Sequence, residues 1–237
     1  MCFSKEISLL HFAILETYAG YLFQYVSDAN LWRLYVPMAY LGLKEILQSA
    51  LYEFLKQPNI ERVLAILSYV HICFQPLFVS IFMSYFSSNA KLYGWSYWTI
   101  VWIVCVLFAF YKLTHLDYFD ILKDMPYCKD ASSDFCSDEN GAYQGKYHIG
   151  YKFKTKFKYD KLFVIMMFVP ALMTKSYIIG LFFFLFAIIL HGIYDVRDGE
   201  WAALWCLLVI APTIPFTYFR KELLGIGNRL YCGWCLQ

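Results

Sequence analysis

The chain has 237 residues, of which 60% are hydrophobic and 16% charged, with a formal net charge of +2. A soluble domain sits nearer half apolar and a quarter charged, so composition points to a helical membrane protein. The small net charge argues against a nucleic-acid partner.

A membrane-crossing helix needs about 20 mostly apolar residues at ~1.5 Å of rise each. Seven stretches meet or approach that length: 6–26, 31–55, 62–86, 95–114, 159–174, 176–194 and 201–219. The expectation is an all-α fold, a polytopic bundle of about seven transmembrane helices. It spans 1–237 as a single domain, with a polar loop at about 115–158 and a short tail at 220–237. Localisation is then integral to a membrane, with the lipid bilayer itself as partner. The first stretch contains His11 and Glu16 and has no clear small-x-small cleavage site, so it reads as a retained span. Its end is marked by "SDAN" at 27–30.

The second stretch carries "LKEILQSALYEF", in which Glu45, Gln48 and Tyr52 fall on one helical stripe and Lys44 points about 100° away. "KQPN" at 56–59 ends it, since Pro58 has no N–H to continue the helix. The third stretch contains "YVHICFQPLFVSIF". His71 and Gln75 share a face, and Pro76 frees the carbonyl of Ile72 and predicts a bend. Charged and polar groups deep in a span are a functional hypothesis by default. Trp95, Tyr97 and Trp98 open the fourth stretch as an interfacial aromatic belt would.

The loop that follows is acidic, then basic. Cys128 and Cys136 are spaced to form a disulfide on an oxidising side of the membrane. His148 stands in "KYHIGY", and "YKFKTKFKYDK" at 151–161 alternates aromatics with Lys152, Lys154, Lys156 and Lys158. In an extended segment that alternation puts aromatics on one face and lysines on the other. The lysines are then a membrane-surface patch suited to anionic lipid, worth about 1 kcal/mol each near an anionic leaflet. The fifth stretch is short, and Lys158, Lys161 and Lys175 can snorkel from its ends. If it does not span, the count falls to six. "CGWC" at 232–235 has redox or zinc spacing without the surrounding pattern that either needs.

Glu45, Gln48, His71, Gln75, His148 and Glu200 are the candidate lining of a polar cavity. Three readings follow. The cavity binds or moves a small cation, proton or polar ligand. Alternatively, a metal held by His71 and His148 makes an intramembrane enzyme, although no H-E-x-x-H spacing is present. Alternatively, the protein is a structural or interaction component of a viral or organelle membrane. A retinal cofactor is excluded, because 201–219 holds no lysine for a Schiff base.

The opening "MCFS", with "LKEILQ", "HICFQP", "GKYHIGYKF" and "GEWAALWC", resembles the uncharacterised "MCFS" multi-pass membrane proteins of bacteria and large DNA viruses. The resemblance covers most of the chain through short motifs. It implies a multi-pass membrane protein and no particular activity. Where that family's last motif has a small hydroxyl residue, this chain has Ala203.

Overall fold

A computed structural model describes residues 4–25, 30–87, 91–92, 95–117, 140–155, 160–174, 177–194, 200, 214–215 and 217–219. Among them are the helices α1 (Lys5–Tyr25), α2 (Trp32–Phe54), α3 (Pro58–Tyr85), α4 (Tyr97–Leu113), α5 (Asp160–Leu172) and α6 (Tyr177–Tyr194). Two short hairpins interrupt them. β1 (Lys91–Leu92) pairs with β2 (Trp95–Ser96), and β3 (Gly141–Gln144) with β4 (Ile149–Lys152), both antiparallel. The fold is therefore mostly helical but not all-α.

The seven-span bundle is corrected by helix length and composition. Among the described residues only α3, with 28 residues, is long and apolar enough to cross a membrane, and most of its apolar window is buried inside the bundle. α1 carries Lys5, Glu6 and Glu16, and α2 carries Arg33, Lys44, Glu45 and Glu53. α4 and α5 have 17 and 13 residues, or about 26 and 20 Å of rise, short of a ~30 Å hydrocarbon core. The apolar run of α6, Tyr177–Ile189, is also short. Of the seventh stretch only 214–215 and 217–219 are described. A multi-pass arrangement is not supported.

Local sequence explains the breaks. Gln57 is extended, as a residue before proline tends to be, and Pro58 then opens α3, where its missing N–H costs nothing. Pro76 lies inside an unbroken α3. The carbonyl of His71, one residue before the one Pro76 frees, accepts the Tyr40 hydroxyl at 2.6 Å. α1 packs on α2, α2 on α3, α3 on α4 and α5, and α5 on α6. α1 and α2 approach closely at Gly42, where a side chain would overlap Glu16.

Two buried cores result. The first joins Leu34, Met38, Phe82, Phe86, Trp98 and Phe168, from α2, the ends of α3 and α4 that meet it, and α5. The second joins Leu51, Tyr69, Ile72 and Ala109 to Ile149, Tyr151 and Phe153 of the β3–β4 hairpin and the residue just beyond it. The expected polar loop thus contributes core. Tyr151 and Phe153 face inward as the alternation predicts, but onto Tyr69 (4.7 Å from Phe153) and the helices around it.

A candidate ligand site in a buried polar seam

Along α2, Leu41 belongs to the first core and Leu51 to the second; along α3, Ile72 and Cys73 belong to the second and Val79 to the first. The polar residues sit at that junction. Lys44, Glu45 and Gln48 of α2 and Ser68 of α3 are fully buried, and His71 and Gln75 are 6% and 2% exposed. Both helices therefore turn their polar residues to the same level, and the inward placement expected of His71 and Gln75 is what their burial gives.

The pairing differs from a direct His71–Glu45 contact. His71 donates from Nε2 to the backbone carbonyl of Tyr40 at 2.7 Å, and its ring stacks on the Tyr40 ring at 4.1 Å. A carbonyl can only accept, so Nε2 carries the proton and Nδ1 presents a lone pair. That lone pair is buried and has no hydrogen-bond partner. Glu45 is bound along its own helix instead. Gln48, with its amide nitrogen turned to the carboxylate, donates to both Glu45 oxygens at 3.2 and 3.3 Å. Ser8 of α1 lies beside the same carboxylate.

Lys44, four residues after Tyr40, lies on the same α2 face. Its ammonium sits 5.8 Å from the Tyr151 ring and is within electrostatic reach of both His71 and His148. Sequence spacing placed it a quarter-turn off the Glu45 stripe and gave no sign that the hairpin would cover it.

His148 reaches the seam from the turn between β3 and β4. The register Gln144↔Ile149 leaves a four-residue tip, 145–148, closed by the Gly145 N–H donating to the His148 carbonyl at 2.8 Å. Nδ1 of His148 lies 2.6 Å from the Tyr52 hydroxyl, so the far end of the predicted α2 stripe meets it. Burial, then the charges of Lys44 and His11, push the His148 imidazole down to about 3, and it is neutral at pH 7. Gln75 is buried in α3 one turn beyond His71.

Glu200 does not line the seam. Its carboxylate accepts from the backbone N–H groups of Lys146 (2.9 Å), Tyr147 and His148 (2.7 Å) at the hairpin tip. Side-chain reasoning could not find that role, because its partners are main-chain donors. Glu61 of α3 was missed for the same reason: it accepts from the Ala142 N–H at 2.8 Å and ties β3 to the bundle.

The lysine patch is also redrawn. Lys154 is buried and pairs with Asp117 at 3.2 Å. Asn140 clamps both segments, donating to the Asp117 carbonyl and accepting from the Lys154 N–H at 2.8 Å. Lys152 is half-buried, 6.0 Å from the Tyr143 ring. Lys156, Lys158, Cys128, Cys136 and the C-terminal "CGWC" lie outside the described residues. Cys73 and Cys105 are buried free thiols.

For a metal, the described residues bring no three His, Cys, Asp or Glu side chains together. Lys44 stands near both candidate imidazoles, and a cation between them would meet its charge.

A helical bundle with two short hairpins and a buried polar seam defines the class of protein. The chain belongs to the family of unknown function DUF5765, whose family model matches residues 21–224. No curated protein and no solved structure matches it.

Proposed function

We propose that the seam holds a small ligand that brings a hydrogen-bond donor, such as a protonated amine, a hydroxyl compound or a proton in transit, and that the bundle works against a lipid bilayer. The single observation behind this reading is the His71 ring: one nitrogen is committed to Tyr40 and the other is a buried lone pair with no donor. A buried polar atom left unpaired costs ~1–3 kcal/mol, which a bound donor recovers. Glu45 and Lys44 put a carboxyl and an ammonium at the same level, and burial pushes that carboxyl up to about 7, so it can take or release a proton near neutrality.

Lipid contact is supported by the outer surface. Phe23, Leu43, Val63, Leu107, Ile165 and Ile193, one from each helix, are exposed. Large exposed apolar areas on a chain mark membrane or partner contact. Within the family, the opening "MCFS" supports the narrower kinship with the bacterial and viral proteins that share it.

The test uses the full chain in detergent, with ammonium, methylammonium and glycerol as probes, and the same chain in vesicles carrying an internal pH dye. At one hundred times Kd, a seam ligand stabilises the wild type by about 2.7 kcal/mol, and His71→Leu abolishes the effect. If no probe stabilises the wild type and vesicles with protein dissipate a pH gradient no faster than empty ones, the reading fails.

A further inference from the structure

Glu200 is 52 positions from His148 in sequence, yet its carboxylate takes three successive N–H groups of the hairpin tip. Consecutive main-chain N–H groups converging on one anion form a nest, and hydrogen bonds to a charged acceptor are about twice as strong as neutral ones. The tip is shaped for this contact. A side chain at Gly145 would overlap both the Glu200 carboxylate and the His148 carbonyl, so the turn closes around the carboxylate only with glycine there. The last of the three donors is His148 itself. Its main chain is held by Glu200, and its ring by the Tyr52 hydroxyl of α2. The Gly145 N–H holds the His148 carbonyl and closes the turn, and the Glu200 carboxylate holds the His148 N–H on its other side, so the two together set the angle at which the imidazole enters the seam.

We infer that Glu200 is the positioning residue for His148: a built-in anion that shapes the 145–148 turn and delivers the imidazole to Tyr52 and Lys44. Glu200 is thereby coupled to the seam, because its displacement releases the residue that caps it. The value of His148 to a ligand rests on the reading proposed above; the positioning does not.

The experiment compares wild type, Glu200→Gln and Gly145→Ala as full-length chains labelled with 15N at histidine. His148 is assigned by loss of its signal in His148→Gln. Glutamine keeps the volume of Glu200 but removes the anion and puts an NH2, which cannot accept, in place of one of the two oxygens that the N–H groups of Lys146, Tyr147 and His148 share. Gly145→Ala attacks the same nest from the other side. Two signals are followed: the titration of the His148 imidazole, and the Nε2–H resonance of His71 bonded to Tyr40, as a control for the seam at large. In both variants the His148 midpoint is expected to rise from about 3 toward 6.5, the range of a solvated imidazole, while the His71 resonance stays in place. The inference is overturned if Glu200→Gln leaves His148 unchanged, whatever Gly145→Ala does. It is equally overturned if the His148 and His71 signals collapse together, since Glu200 would then support the whole fold and not one side chain. Failure of every ligand probe leaves these outcomes untouched, so the two proposals fail separately.

Discussion

The two cores solve the same problem differently. In the first, several buried polar side chains bond within their own helix or just past its end, while Tyr97 of α4 donates across to the Pro170 carbonyl of α5 at 3.0 Å. Ser80 donates to the Leu77 carbonyl at 2.7 Å, Ser84 to Ile81 at 2.6 Å and Thr174 to Ala171 at 3.0 Å. In the second, polar groups are satisfied across the chain: Tyr52 with His148 over 96 positions, Glu61 with Ala142 over 81 and Asn140 with Lys154 over 14. Local bonds survive a shift of one helix against another, because donor and acceptor move together. Long-range bonds do not. The hairpin half is therefore registered by its polar groups, the apolar half partly so through Tyr97, and the seam lies on the border between them.

The comparison breaks most readily at the buried ion pair. Lys154→Met leaves Asp117 charged, buried and without its 3.2 Å partner, and is expected to cost ~3–5 kcal/mol in a denaturant or thermal titration. Adding Asp117→Leu should recover most of that loss, since no charge is then stranded. A double variant as unstable as the single would mean that the hairpin half does not depend on this pairing. At the seam the loss should be smaller. His71→Leu removes the Nε2–H bond to the Tyr40 carbonyl, which keeps its helical donor, and is expected to cost ~0.5–1.5 kcal/mol. In double-mutant cycles His71 should couple to Tyr40 by more than 0.5 kcal/mol and to Glu45 by less. The reverse order would return His71 to the Glu45 stripe.

Acid sharpens the same contrast. His148 is neutral in the folded chain, its midpoint pushed down to about 3, whereas an unfolded chain takes up this proton near 6.5. Below 6.5 the unfolded state thus binds more protons, so stability falls as pH falls and goes on falling to about 3. The slope contributed by this group approaches ~1.4 kcal/mol per pH unit inside that window and vanishes above it. His148→Gln should flatten the slope between pH 6 and 4. An unchanged slope would mean that His148 is solvated.

Several elements were legible in the sequence. The apolar blocks at 31–55 and 176–194 became α2 and α6 to within a residue or two. Their destination was not legible, because an apolar face looks the same whether it meets lipid or another helix. The segment at 151–155 carries this lesson in miniature: alternation correctly put Tyr151 and Phe153 on one face, and the helices, not headgroups, turned out to cover that face. His71 and Gln75 announced themselves by their chemistry. Glu200 was visible as a carboxylate, but its partners were peptide N–H groups, which every residue but proline has, so no residue code marks them. The Tyr40 carbonyl at His71 was hidden for the same reason.

The smallest expected effect is the most discriminating. Lys152 and Lys154 are two residues apart in one alternating run and read as equivalent in the sequence. They leave β4 differently. Lys152 ends the strand opposite Gly141, half-buried, with its ammonium over the Tyr143 ring. Lys154 lies past the strand, where the Asn140 side-chain Oδ1 accepts its N–H and Asp117 takes its side chain. A lysine at the rim keeps its charge near water and loses little when that charge is removed. Lys152→Gln should therefore change stability by no more than ~0.5 kcal/mol, against several for Lys154→Met. On vesicles with an anionic lipid fraction, the same two substitutions separate surface from core. Lys152→Gln should weaken binding by up to about 1 kcal/mol, or roughly fivefold, with the fold intact. Lys154→Gln should act through stability alone. Equal stability losses at the two positions would put both lysines in one environment and erase the distinction between rim and core on which the hairpin half is built.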